Sequence, residues 1–154
     1  MQGLFLVLIL STATLLGNEF SIGVFIHPAL SRAHHERFLP AIQVFATLFC
    51  KVMPFWMAAT LLLHLILLGL TWQWPALATV LLLAATLLWL AILVFSVVGP
   101  VPINNRVKAW DLQTLPPDWQ AQRRRWDRLH AIRVVMIASA FLALVLSYKT
   151  FGVN

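Results

Sequence analysis

The sequence predicts an all-α fold, a four-span transmembrane helical bundle forming a single integral membrane domain over residues 1–154. Two observations predict it. Hydrophobic residues make up 61% of the chain and charged residues only 10%, whereas soluble domains carry about 25% charged residues. Four apolar runs also reach the roughly 20 residues that a helix needs to cross a bilayer. The mean hydropathy of +0.87 agrees.

The spans are expected at about 3–27, 41–70, 75–98 and 129–148, with connectors at 28–40 and 99–128. Met1 to Leu16 resembles the apolar core of a secretory signal. No Lys or Arg precedes it, no A-x-A-like site follows, and the apolar run continues to Ile26, so it reads as a retained span. It ends at His27-Pro28, because proline disfavours helix in the residue before it. The second span is long enough to tilt, and Pro54 inside it predicts a kink. Pro75 suits the start of the third, and Gly99-Pro100 stops it. Pro100 and Pro102 then predict extended chain. The fourth helix is expected to begin near Pro117-Asp118 and climb through the interface before entering the bilayer.

Four spans put both termini on one side. Arg32, Arg37, Arg106, Lys108, Arg123, Arg124, Arg125 and Arg128 all lie in the two long connectors. The positive-inside rule therefore places those connectors in the cytoplasm and both termini outside the cell membrane. Trp72, Trp74 and Tyr148 suit an outer aromatic belt, and Trp110, Trp119 and Trp126 an inner one. The net charge of +6 reports this topology. It does not point to nucleic acid, since no groove-reading or single-strand module surrounds the Arg123–Arg125 run; that run suits anionic headgroups. The partners expected are the lipid bilayer and an apolar small molecule. One cysteine, Cys50, excludes an intramolecular disulfide framework and a multi-cysteine metal site.

Ionisable groups inside spans are functional candidates by default. Glu19 lies roughly 12 Å below the exit of the first span, and Lys51 roughly 15 Å below the entry of the second at Ala41. The similar depths predict a buried pair of Glu19 with Lys51, or with Arg133 instead. Trp126, His130 and Arg133 are spaced i, i+4, i+7 and share one helix face. Glu19, His27, His130 and Arg133 are the catalytic candidates. Asn18, Asn104, Asn105 and Trp126 are the substrate-binding candidates: the amides of Asn104 and Asn105 bind a substrate oxygen or cap a short helix. No cofactor is expected. A metal, if one binds, would take His27, His130 and Glu19. His34 and His35 read as solvated, and His64 as a hydrogen-bonded packing residue.

An Asn18-Glu19 pair in a span ending at His27-Pro28, the P-x-N-N segment Pro102 to Asn105, and the W-D-x-x-H-x-x-R segment Trp126 to Arg133 together resemble the anthrone oxygenase-like integral membrane family. The resemblance runs over nearly the whole chain. Most bacterial members are classed as a domain of unknown function. It implies a membrane oxidoreductase that uses dioxygen on a flat phenolic or anthrone-like substrate, without a redox cofactor. Under it, His130 or His27 is the base, Glu19 orients a histidine, and Arg133 with Asn104 or Asn105 stabilises an oxyanion. The alternatives are a non-enzymatic four-helix protein with a structural polar core and a partner-docking basic face, or a small transporter. No feature fixes the substrate or an oligomeric state.

Overall fold

The computed structural model describes residues 1–32, 35–73 and 76–151. His34, expected to be solvated, Trp74, expected in the outer belt, and Pro75, expected to start a helix, lie outside them, as does the side chain of His35. Among the described residues every element is helical. α1, Gln2–Ser21, passes directly into a π turn, Ile22–Ile26, and then into a short helix α2, His27–Ser31. α3, His35–Leu70, is one helix with Pro40 and Pro54 inside it. α4, Ala76–Val98, gives way at Gly99 to α5, Pro100–Lys108, and α6 runs Trp119–Phe151. Four stretches, Gln2–Leu30, Phe38–Leu70, Leu77–Lys108 and Trp119–Phe151, are long and apolar enough to cross a membrane. The protein is an integral membrane protein built as an all-α four-span bundle.

Residues 100–108 are a helix, not the extended chain that the two prolines suggested. Pro100 opens it. A proline there loses no hydrogen bond, because the first N–H groups of a helix have no intrahelical partner, and its fixed φ already suits the helix. Pro102 falls in the same first turn, where the same reasoning holds. A Cβ at Gly99 would come 2.9 Å from the Phe95 carbonyl oxygen, so the corner between α4 and α5 needs glycine. Gln43 of α3 holds the far end of α5. Its Nε2 donates to the carbonyls of Val107 at 3.1 Å and Trp110 at 2.8 Å. Beyond α5, Asp111 accepts the Thr114 hydroxyl and, at 3.0 Å, the Gln113 N–H. The hydroxyl first and the amide second hold its carboxyl below the usual carboxylate range.

α6 packs along α4 and α1, and α3 closes the ring against both. Three apolar layers fill the bundle. Phe5, Leu8, Leu67, Leu82, Ala85 and Leu144 form the layer nearest the termini. Leu15, Met57, Trp89, Ile92, Ile137 and Ala140 form the middle one, and Ala46 of α3 packs with Ile103 and Val107 of α5 in the third. Alanines in these layers let the backbones approach closely, which drives packing where lipid is as apolar as leucine. Side chains such as Leu10, Phe55 and Val94 stay exposed on the outside of the bundle, where hydrocarbon surrounds them.

The short connector after Leu70 keeps the adjoining ends of α3 and α4 at one interface. A 30 Å hydrocarbon layer corresponds to about 20 residues of helix. Counting back from Leu70, Lys51 reaches the opposite boundary, and the first two dozen ångströms of α3 project past it. The depth measured from Ala41 misplaced Lys51 for this reason. Its side chain is exposed and stands at headgroup level, where a lysine needs no buried partner.

Candidate functional site

A cavity of about 300 Å³ lies at the connector end of the bundle, at the low end of the 300–1,000 Å³ usual for small-molecule sites. The π turn, α2, the first half of α3, the end of α4, α5 and the start of α6 wall it. Its lining is mostly hydrocarbon, and the polar groups are concentrated on the α1 and α6 side.

Glu19 and His130 are the most buried of them, each 2% exposed, and Arg133 is 8% exposed. Arg133 Nη2 donates to Glu19 Oε2 at 2.5 Å and to His130 Nδ1 at 3.2 Å. His130 Nε2 faces the Glu19 backbone carbonyl at 2.9 Å. A carbonyl only accepts, so Nε2 carries the proton and Nδ1 is the accepting nitrogen. Its Nδ1 also stands 3.3 Å from Glu19 Oε2. Both nitrogens of His130 are thus engaged. Glu19 therefore pairs with Arg133 and His130, not with Lys51. The buried face of α3 runs through Ala46, Met53 and Met57, and at 100° per residue Lys51 points to the other side.

The π turn begins three residues after Glu19 and brings Gly23 against His130. A Cβ there would sit 3.1 Å from His130 Cδ2 and 3.2 Å from Nε2. Short π segments inside α-helices recur at functional sites. Nothing in the apolar run Ile22 to Ile26 signals this one.

Trp126 joins two histidines. Its ring stacks on His27 at 4.3 Å between centroids and on His130 at 4.6 Å. His27 belongs to a second cluster. Its Nδ1 lies 3.0 Å from Asp127 Oδ1, and Arg123 Nε lies 3.9 Å from Asp127 Oδ2. The Arg123 guanidinium also sits over the Phe38 ring, 4.3 Å from its centroid. Asp127 as acceptor puts the His27 proton on Nδ1 and leaves Nε2 with a lone pair. No described residue bonds to that Nε2.

Among the described residues neither Trp126 Nε1 nor Arg133 Nε, both buried, has a hydrogen-bond partner, whereas buried donors are nearly always satisfied; both side chains line the cavity. Asn104 and Asn105 also line the cavity, from α5. Asn18 does not: one residue from Glu19 turns it about 100° away, and its Nδ2 is buried without a partner elsewhere.

Asp127 and Arg123 were not candidates from the sequence, and the Arg123–Arg125 run read as headgroup contact alone. The usable signal was the W-D-x-x-H spacing, which puts Asp127 beside the histidine-bearing face. His64 is a packing residue. Its Nδ1 donates to the Thr60 carbonyl at 2.9 Å and its ring stacks on Trp89. His27, His130 and Glu19 do not converge as metal ligands. Among the described residues no group of three His, Cys, Asp or Glu side chains gathers around one point. The Trp126 ring packs against both imidazoles, and each engages a separate carboxylate.

Neither a curated protein nor a solved structure matches the chain. One family model, described as anthrone oxygenase, matches residues 43–143. That stretch takes in Asn104, Asn105, Trp126, Asp127, His130 and Arg133, and it begins after Glu19 and His27.

Proposed function

The chain belongs to the anthrone oxygenase family, and from that premise we propose that it is a membrane oxygenase acting on a flat, apolar phenolic or anthrone-like substrate. The observation that carries this is the His27–Asp127 pair facing a hydrocarbon-lined cavity whose lining includes two side chains with buried donors that no described residue satisfies.

His27 is the base. Asp127 fixes its Nδ1 proton and leaves Nε2 to take a proton from the ring methylene that lies across the central ring from the substrate carbonyl and is conjugated to it through the flanking arenes. Negative charge moves onto the carbonyl oxygen. Arg133 Nε and Trp126 Nε1, with an amide from Asn104 or Asn105, hold that oxyanion in a site of low dielectric. Glu19 and His130 fix Arg133 in place, so His130 acts as a positioning residue. The electron-rich carbanion reduces dioxygen and forms a C–O bond. The proton held on His27 returns to the distal oxygen to give a hydroperoxide. Loss of the second C–H proton with hydroxide releases water and leaves a new carbonyl. A methylene and one dioxygen thus become a ketone and one water. The chemistry calls on no redox cofactor.

The whole chain is one integral membrane domain whose bound partners are lipid and this small molecule. The concentration of arginine at the connector end supports a cytoplasmic placement of the cavity, with both termini across the membrane.

The test is product analysis. Purified protein given anthrone and ¹⁸O₂ is expected to yield anthraquinone with one ¹⁸O per molecule, faster than anthrone oxidises alone. Product formed at the uncatalysed rate, or labelled from water, overturns the proposal.

A further inference from the structure

The cavity has a side that the bundle does not close. α1 and α3 are tied together deep in the membrane. Ser11 Oγ and Thr60 Oγ1 are 2.8 Å apart, and Trp56 Nε1 donates to Ser11 Oγ at 3.0 Å. Toward the connector end the first span continues as the π turn. Among the described residues the π turn packs on α1, α2 and α6 but not on α3. The α2–α3 corner brings the chain together again above the gap. What remains is a window, bounded below by the Ser11–Trp56–Thr60 tie and above by that corner.

Both jambs of the window are hydrocarbon or thiol. Ile22 and Ile26 of the π turn line the cavity on one side, and Phe45, Phe49, Cys50 and Met53 of α3 line it on the other. Phe45 and Phe49 stack in parallel, 5.8 Å apart and 11° from coplanar. Outside the window, Val24 and Phe25 are exposed. The polar wall formed by Trp126, His130 and Arg133 stands across the cavity from the α3 jamb. By the depth counted from Leu70, the opening lies near the boundary between acyl chains and headgroups, where planar molecules with an apolar body and a polar edge collect.

We propose that the substrate enters sideways from the bilayer through this window, as an uncharged planar molecule dissolved in lipid, leading with its oxygen-bearing edge. The chemistry after entry rests on the oxygenase reading. Entry from water would bring a polar molecule past the apolar lining for no gain in contact. Entry from lipid keeps the apolar body in hydrocarbon throughout, and only the polar edge changes partners.

Cys50 is the chain's one cysteine, which makes the window directly testable. The full-length protein in phosphatidylcholine vesicles is treated on both membrane faces with uncharged methyl methanethiosulfonate or with its charged sulfonatoethyl analogue. Leu112→Cys in a Cys50→Ser background, on the exposed connector, gives the rate ratio for a thiol in water. The expected ratio of uncharged to charged labelling at Cys50 is at least about tenfold above that control, because the charged reagent partitions poorly into hydrocarbon. Ile26→Trp, which fills the jamb, is expected to slow the uncharged reagent several-fold. A wild-type ratio equal to the control overturns the window. That comparison needs no change in the core, so it stands even if Ile26→Trp does not fold. Window-type labelling in a protein that consumes no dioxygen with anthrone overturns the oxygenase reading and leaves the window. Dioxygen consumption with control-type labelling does the reverse.

Discussion

His27 and His130 carry the same ring, and their partners separate what each can do. His130 gives Nε2 to a backbone carbonyl and Nδ1 to Arg133. Among the described residues His27 engages only Nδ1, with Asp127. Under the proposed function the unengaged Nε2 makes His27 the base, a role the sequence left open between the two. Asp127→Asn is expected to lower kcat by about 10–100-fold, less than the roughly 10²–10⁴-fold of a full acid–base contribution, because Asp127 orients the base and does not take the proton. A folded Asp127→Asn protein that keeps the wild-type kcat would contradict this role. The Glu19–Arg133 pair makes a different prediction. Glu19→Gln leaves a buried guanidinium unpaired and should cost about 3–5 kcal/mol of stability, read as a lower melting temperature in detergent. Glu19→Gln combined with Arg133→Met should recover part of it. No recovery would contradict the pairing.

At the scale of elements, helical spacing made much of the site readable. Trp126, His130 and Arg133 could be placed on one face because α6 is regular through them. Glu19 was legible because a carboxylate in a span must face inward. The π turn was not legible, since its bonding pattern depends on how α1 meets α6 and leaves no mark in an apolar run. Nor was the His27–Asp127 contact: it joins residues 100 positions apart, and Asp127 lies in a stretch whose composition reads as solvated connector. Lys51 went astray through a wrong origin for depth, because α3 projects beyond the bilayer and the entry near Ala41 is not its boundary. The π turn carries its own prediction. Gly23→Ala puts a Cβ within about 3 Å of the His130 ring, and overpacking of that kind typically costs about 1–3 kcal/mol. A melting temperature equal to wild type would show that the ring has room to give.

For the whole molecule, composition alone was enough to read the class of fold, because a chain with so few charges has nowhere but a bilayer to put four such helices. Composition could not show that α3 and α6 extend past the membrane and, with α5, enclose a chamber at one end. That enclosure gathers Glu19 and His27 of the first span, the P-x-N-N segment and the W-D-x-x-H-x-x-R segment around one cavity, and each motif alone would be ordinary. The central claim is that His27 removes a proton from an anthrone-like substrate in that chamber. The measurement that tests it most directly is the initial rate of dioxygen consumption with anthrone by wild type and His27→Ala in matched vesicles, each corrected for uncatalysed oxidation. A loss of about 10²–10⁴-fold in kcat is predicted for His27→Ala, the range typical of a general base. A folded His27→Ala protein that consumes dioxygen at the wild-type rate would contradict it.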